Sequence, residues 1–272
     1  MIFSIYKTIA IILLGAFFLM VSGVDCEAQI LNIERHRLQP DTSKPFLIKG
    51  TLGLSLYNRS AASDSPVDML GYNASLNAVY FTNRHTFMAI GQLDYLKINE
   101  NPFLNFGFIH LRGHFFHDSP SSLEVFNQYS YDNFRGLDPR VLIGAGLRQT
   151  LLNTDRSLFT LGTGIMYEWE KWEHPAEDFQ VEKNLIKSTN YLSYRLSVNE
   201  YIDFNTIAYY QVGYDSDISE FRNRFSGTIN FNSSISDYLS ITNTFSFSYE
   251  NRPVVPITRF IYQFKTGLSV SF

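Results

Sequence analysis

Cysteine is nearly absent from this chain of 272 residues, which contains only Cys26. A single cysteine excludes an intramolecular disulfide framework. Charged residues make up 18% of the sequence, below the roughly 25% of an average soluble domain, and no cluster of lysine or arginine indicates binding to nucleic acid. After the N-terminus, no apolar run approaches the ~20 residues of a membrane-spanning helix. What the chain has in abundance is aromatic residues, at 16%.

Residues 1–28 have the layout of a secretory signal peptide. One basic residue, Lys7, precedes an apolar run, and the segment ends at Ala28 with small residues at the expected cleavage subsites. We therefore predict export and cleavage after Ala28. A permanent membrane anchor is disfavoured because the apolar run is short. Lipidation at Cys26 is disfavoured because Asp25 stands where a lipoprotein signal needs a small residue.

From residue 46 onward, apolar and polar residues alternate, which is the pattern of β-strands with one apolar face. The predicted strands are 46–57, 69–81, 85–97, 103–117, 123–134, 140–151, 157–170, 185–197, 201–214, 221–234, 238–250 and 259–272. Their lengths meet the ~9–11 residues that a tilted spanning strand needs, and bacterial single-chain barrels have an even strand count. The sequence predicts an all-β fold, a transmembrane antiparallel up-and-down β-barrel of twelve strands over 46–272, after a periplasmic leader at 29–45.

Loop lengths support the barrel independently of the strand pattern. With the N-terminus in the periplasm, every periplasmic turn is short, and the longest connections, 58–68 and 171–184, are both extracellular. The rival fold is a soluble sandwich or a lipocalin-like barrel, because alternation alone does not tell which face is wet. Aromatic residues near the strand ends and the terminal Phe272 favour the membrane barrel.

The hairpin of the fifth and sixth predicted strands carries opposite charges on one face. Directly opposed residues of an antiparallel pair have a constant number sum, and a sum of 272 places Glu124 opposite Arg148 and Asp132 opposite Arg140. The same register puts Phe126 over Gly146, so that an aromatic ring covers a glycine. Charges on one face and apolar residues on the other predict a wet lumen and a lipid-facing wall.

The neighbouring strands extend this charged face. A sum of 308 between the sixth and seventh strands places Glu168 opposite Arg140 and Thr160 opposite Arg148, so that Arg140 lies between two carboxylates. A sum of 238 between the fourth and fifth strands brings His114 to Glu124 and Arg112 beside Phe126. The predicted ladder of lumen charges consists of Arg112, His114, Glu124, Asp132, Arg140, Arg148 and Glu168.

Two interpretations of this ladder stay open. In the structural interpretation, the ladder pairs charges that a narrow lumen must hold, because inward charges are tolerable only when they are paired. In the functional interpretation, it forms a constriction that selects small ions or polar solutes. The two can coexist, since paired walls also define a pore.

The C-terminal strand resembles the signal that the barrel-assembly machinery recognises in its outer-membrane clients. It carries alternating apolar residues at Leu268 and Val270 and ends on the aromatic Phe272. The segments 124–128 and 140–148 resemble the YdiY-like family of salt-induced outer-membrane proteins. The resemblance implies an outer-membrane barrel that this machinery inserts. It implies no substrate, so no functional residue is carried over.

Catalytic and metal chemistry find little support in the sequence. A lipid hydrolase barrel needs a Ser/His pair at the lipid-facing membrane edge, and the strand phases place no histidine on a lipid-facing position beside an outward serine. The loop carboxylates match no calcium loop, and we predict no metal, cofactor or catalytic residue. The expected function is a small passive channel or an envelope-structure protein in contact with outer-membrane lipids and lipopolysaccharide. The alternative is a lipid-modifying enzyme of the membrane edge.

Overall fold

Twelve strands make up the fold in the computed structural model, which describes residues 45–58, 67–236 and 238–270. They are β1 (Phe46–Asn58), β2 (Asp68–Phe81), β3 (His85–Ile98), β4 (Asn101–Phe115), β5 (Ser121–Asp132), β6 (Leu137–Asn153), β7 (Ser157–Glu173), β8 (Gln180–Asn199), β9 (Ile202–Asp215), β10 (Glu220–Ser236), β11 (Leu239–Glu250) and β12 (Phe260–Val270). The predicted strand count is confirmed. The start of β8 is the one strand end in the described part of the chain that lies more than three residues from its prediction.

The strands pair in chain order, from β1 to β12, and each pairing is antiparallel. This is the up-and-down topology that the sequence predicts. At one end, which we call the short-turn end, the connections have two to five residues. At the other, the long-loop end, the longest connections are 59–67 and 251–259. In the described part of the chain, no helix is long and apolar enough to cross a membrane.

Burial is inverted relative to a soluble protein. Large apolar side chains such as Ile143 and Ile165 are exposed, at 55% and 60%, whereas Arg140 and Glu168 on the same strands are buried, at 6% and 1%. Because side chains alternate between the two faces of a strand, one face of the sheet is apolar and outward, and the other is charged and inward. Such a sheet is stable where hydrocarbon covers the outside. The fold is a transmembrane β-barrel of the outer-membrane type.

The prediction of a long loop at 171–184 is wrong. β7 continues to Glu173 and β8 begins at Gln180, so only residues 174–179 connect them. In this extension Lys171 opposes Glu182 and Glu170 opposes Lys183. Opposite charges across a strand pair stabilise the pairing, and they keep these polar segments in the sheet.

The connection 251–259, the β11–β12 loop, folds against the inner side of the barrel at the long-loop end. Val255 is 2% exposed and packs with Leu137 and Trp172. Val181, Val254 and Ile257 pack around the same cluster. This apolar group forms a cap above the charged inner face.

Two chain segments with predicted functions lie outside the described residues. They are the signal peptide, 1–28, and the leader up to residue 44. In the predicted assembly signal, Leu268 lies in β12 and is exposed, and Val270 is the last residue of that strand. Phe272 also lies outside the described residues.

Candidate functional site: the charged lumen

The inner faces of β4 to β10 carry buried charged side chains among other inward residues. Inward positions of a strand share the lumen, so charges from six strands come within contact distance of each other. Arg112 lies on β4, Glu124 on β5, Arg140 on β6, Glu168 on β7, Lys187 on β8 and Arg224 on β10, and all are at most 8% exposed. Charges this deeply buried are stable only when they are paired.

Glu168 is the centre of the larger of two clusters. Its Oε2 atom accepts hydrogen bonds from Arg140 Nη2 at 2.5 Å and Arg224 Nη1 at 3.0 Å, and its Oε1 atom accepts from Lys187 Nζ. One carboxylate therefore joins cations of β6, β8 and β10.

Glu170, two positions further along β7, forms a second set of ion pairs with Arg140 and Arg224. Arg140 Nε lies 3.1 Å and Arg224 Nη2 3.0 Å from Glu170 Oε1, and Trp172 Nε1 donates to Oε2 at 2.9 Å. Arg224 Nη2 also lies 3.2 Å from Glu250 Oε2 on β11. Three cations and three carboxylates thus form one network, whose formal charges balance.

Glu124 is the centre of the second cluster, nearer the short-turn end. Its Oε1 atom lies 3.6 Å from Arg112 Nη1 and 3.8 Å from Arg148 Nη1. The Tyr191 hydroxyl donates to Glu124 Oε2 at 2.8 Å and accepts from Arg148 Nη1 at 3.2 Å. Here two cations share one carboxylate.

The predicted register between β5 and β6 is wrong by two residues. Glu124 lies opposite Gly146, and Arg148 lies opposite Ser122. The cause is at the hairpin tip, where Asp132 Oδ1 accepts a hydrogen bond from Arg135 N at 3.3 Å and so caps a short 3₁₀ turn. Asp132 therefore does not lie opposite Arg140.

A register shift of two residues leaves each side chain on the same face of its strand. The side chains that face the lumen are therefore the predicted ones, although they lie opposite different partners. Phe126 covers a glycine, as predicted, but the glycine is Gly144 and not Gly146. A Cβ atom on Gly144 would lie 2.5 Å from Phe126 Cζ. Glu124 and Arg148 still form an ion pair, on a diagonal of the ladder.

The predicted register between β6 and β7 is also wrong by two residues. Arg140 lies opposite Glu170, and Arg148 lies opposite Gly162, not Thr160. The contact between Arg140 and Glu168 is nevertheless present, again as a diagonal pair. The arginine lies between two carboxylates of the same strand, Glu168 and Glu170.

The predicted register between β4 and β5 is confirmed. His114 lies opposite Glu124, and Arg112 lies opposite Phe126, with its guanidinium carbon 5.7 Å from the ring centroid. His114 Nε2, however, forms its hydrogen bond with Ser122 Oγ, at 2.6 Å. The structure thus brings a Ser/His pair together, on the inner face and not on the lipid-facing one.

Sequence reasoning left five residues out of the ladder, namely Glu170, Lys187, Tyr191, Arg224 and Glu250. The inward phase of β7, β8 and β10 could have found four of them, because each stands an even number of positions from a charged or polar neighbour on its strand. The contacts of Arg224 with Glu168 and Glu170 join strands that are not adjacent, and no strand-pairing rule predicts them.

A third group of charges closes the long-loop end. Lys183 Nζ lies 2.9 Å from Asp215 Oδ1, and Arg222 Nε lies 2.5 Å from Asp215 Oδ2. Arg222 also donates to the Arg252 carbonyl oxygen in the β11–β12 loop, and Asn251 Nδ2 donates to Phe221 O at 3.0 Å. These bonds hold the loop that carries Val255 over the lumen.

Between the two clusters the lumen contains a cavity. The space open to the centre of a water molecule is about 100 Å³, which corresponds to on the order of ten water positions. Its wall includes Arg112 and Glu124 of the smaller cluster, Arg140 and Arg224 of the larger one, and Trp172 of the cap. In the part of the chain that the structure describes, no group of three or more His, Cys, Asp and Glu residues has the arrangement of a metal site.

A family model described as "Protein of unknown function, DUF481" matches residues 68–272. The chain belongs to this family. DUF481 is the YdiY-like family, so the resemblance noted in the sequence is confirmed. The match begins at β2 and includes every residue of both charge clusters. No curated protein matches this DUF481 chain.

Seventeen chains of known structure match this DUF481 protein. One is described as "NanC porin structure in rhombohedral crystal form"; it is 11% identical, with 84% of this chain and 99% of that chain covered and a TM-score of 0.41. Another is OmpTdeltaL8, a loop L8 deletion mutant of OmpT, an outer membrane protein of Vibrio cholerae. It is 8% identical, with the same coverages and a TM-score of 0.27.

Proposed function

We propose that the protein is a small passive channel of the outer membrane. The observation that supports this proposal is the cavity inside the lumen, whose wall includes ion-paired side chains together with aromatic and apolar ones. Pairing offsets part of the desolvation cost of a charged wall, and the cavity leaves space for a solute of few atoms. A wall of this kind selects by charge and by size.

The same ion pairs also support a structural role in the envelope, which was the other part of the expectation. The two roles differ in one measurable property, because a channel conducts and a plugged barrel does not.

Planar-bilayer recording of the refolded protein tests the proposal. We expect small, discrete conductance steps, because the cavity is narrow and is capped by the β11–β12 loop. Heat-modifiable gel migration establishes beforehand that the barrel is folded. Folded protein that inserts and does not conduct would contradict the channel and leave the structural role in the envelope.

The alternative function is that of a lipid-modifying enzyme, and one contact favours it. His114 and Ser122 form a hydrogen bond of the kind that activates a serine nucleophile. Against it, both residues face the lumen, whereas an acyl chain of the surrounding lipid contacts the outer face. Lipid hydrolysis by the purified barrel that Ser122→Ala abolishes would establish the enzyme and reject the passive channel.

The apolar outer face of the barrel indicates which molecules surround the channel. We propose that outer-membrane lipids and lipopolysaccharide contact the exposed apolar side chains of β1 to β12, and that the barrel-assembly machinery inserts the chain after export by the signal peptide. Deletion of Phe272 should then lower the amount of folded barrel in the outer membrane, which heat-modifiable migration of membrane fractions measures.

A further inference from the structure

The wall of the lumen cavity carries charge of mainly one sign. The charged residues that line it are five arginines and two glutamates, namely Arg112, Arg135, Arg140, Arg224, Arg259, Glu124 and Glu250. Behind the wall stand the ion-pair partners Glu168, Glu170, Lys187 and Arg148. Even when Asp132 beside the Arg135 backbone is included, seven cations face five carboxylates. The cavity therefore favours an anion over a cation.

Besides Gln211 Oε1 on β9, two buried polar atoms at the cavity, both on β4, have no hydrogen-bond partner in the described chain. They are Arg112 Nε and His110 Nε2, on residues that are 5% and 3% exposed. Buried polar groups are almost always satisfied by protein, water or ligand atoms, so these two atoms are available to water or to a ligand in the cavity. Arg112 Nε offers a donor to an anionic oxygen.

The other nitrogen of His110 determines what its Nε2 atom can bind. Nδ1 lies 3.2 Å from Gln128 Oε1. Since an amide oxygen only accepts, Nδ1 carries the proton in a neutral ring, and Nε2 is an acceptor. A ligand hydroxyl can donate to it. Arg112 and His110 are two positions apart on β4, so their Cα atoms are about 6.6 Å apart along the strand and their side chains share the inner face.

Aromatic and apolar side chains complete the walls. The Arg112 guanidinium carbon lies 5.7 Å from the ring centroid of Phe126 and 5.8 Å from that of Tyr191. Leu142 and Met166 also line the cavity. The flat, polarisable side chains of the wall favour a ligand with an aromatic ring. The cavity volume accommodates a ligand of on the order of ten non-hydrogen atoms.

We infer that the lumen cavity binds a small aromatic carboxylate that carries a hydroxyl group, with the carboxylate on Arg112 and the hydroxyl on His110. The inference rests on the proposed channel function, because it names the class of solute that the channel selects. Glu124 opposes the carboxylate in the site and keeps the affinity low enough for release, as conduction requires.

Calorimetric titration of the refolded barrel in detergent tests the inference with three ligands that have similar shapes and different charges. We expect 4-hydroxybenzoate to bind, 4-hydroxybenzamide to bind about 10- to 100-fold more weakly because it lacks the charge, and 4-hydroxybenzamidine, a cation, not to bind. Equal binding of the acid and the amide would overturn the inference, and so would absence of binding of 4-hydroxybenzoate to folded protein. This series uses the unmodified protein and does not depend on the folding of a variant.

Variants then locate the site. Arg112→Gln should reduce the affinity for 4-hydroxybenzoate about 10-fold or more, whereas Arg84→Gln, at an exposed arginine paired with Asp118, should leave it unchanged. His110→Phe should abolish the preference for 4-hydroxybenzoate over benzoate. If Arg84→Gln weakens binding as much as Arg112→Gln does, the carboxylate is not held in the lumen and the inference fails.

Conductance and binding separate the two proposals. Binding of 4-hydroxybenzoate by a barrel that does not conduct would support the site and overturn the channel. Conductance without such binding would leave the channel and overturn the site.

Discussion

At the scale of single residues, Glu168 and Arg224 each form three of the ion pairs described in the lumen. The Glu168 side chain gives the first prediction. Its carboxylate, which is 1% exposed, contacts cations of three strands. In Glu168→Gln, Arg140, Lys187 and Arg224 stay buried with one negative charge fewer. We expect the free energy of unfolding to fall by about 3–5 kcal/mol, the usual effect of removing one partner from a buried pair. Urea unfolding of the refolded barrel in detergent measures it.

The matched control is Glu220→Gln at the surface. Glu220 pairs with Arg252, and the two side chains are 46% and 47% exposed. Water screens such a pair, so the midpoint of unfolding should hardly move. Equal losses in the two variants would contradict the claim that the lumen network stabilises the barrel.

A glycine gives a second prediction at this scale. A Cβ atom on Gly144 would lie 2.5 Å from Phe126 Cζ and 2.8 Å from the Ile165 carbonyl oxygen, and the latter belongs to the sheet backbone and cannot move aside. Gly144→Ala should therefore destabilise the barrel by about 1–3 kcal/mol in the same unfolding assay. Gly267→Ala, whose Cβ would have no described atom within 4 Å, is the control. A loss as large at Gly267 would show that crowding is not the cause.

At the scale of elements, the β11–β12 loop is the part of the barrel most suited to control access to the lumen. Its apolar side chains pack on Leu137 and Trp172, and Trp172 also lines the cavity. Changing Val254, Val255 and Ile257 together to serine removes the apolar contacts of the cap. We expect the single-channel conductance to rise, with the ion-paired wall intact.

The control for the loop variant is Ile218→Ser, since Ile218 is an exposed apolar residue in the neighbouring β9–β10 loop. Its conductance should equal that of the unmodified protein. An unchanged conductance in the triple variant would mean that the cap does not limit passage.

The strands also show which part of such a fold the sequence determines. The face of each side chain follows from its parity along the strand, and the inward positions of Glu124, Arg140 and Glu168 were predictable for that reason. The register was not, because a turn can absorb two residues without changing any face. Asp132 illustrates this, since its carboxylate caps the hairpin turn and leaves the ladder.

At the scale of the whole molecule, the barrel was predictable because every strand repeats the same two-faced pattern. The candidate site was predictable only in part. Arg112, Glu124 and Arg148 lie on adjacent strands, where parity places them on the same inner face even though the predicted register between β5 and β6 was wrong. Arg224 reaches Glu168 over two intervening strands, and such contacts depend on the curvature of the wall, which alternation does not encode.

The contacts of Arg224 with a non-adjacent strand affect how the barrel unfolds under a pulling force. An up-and-down barrel held only by neighbouring strands would be extracted from a membrane hairpin by hairpin when one terminus is pulled. The links from Arg224 on β10 to Glu168 and Glu170 on β7 tie these strands together with the two between them. The hydrogen bond from Tyr191 on β8 to Glu124 on β5 extends this tie. Under tension β5 to β10 should therefore yield as one block, in a single rupture event longer than that of one hairpin.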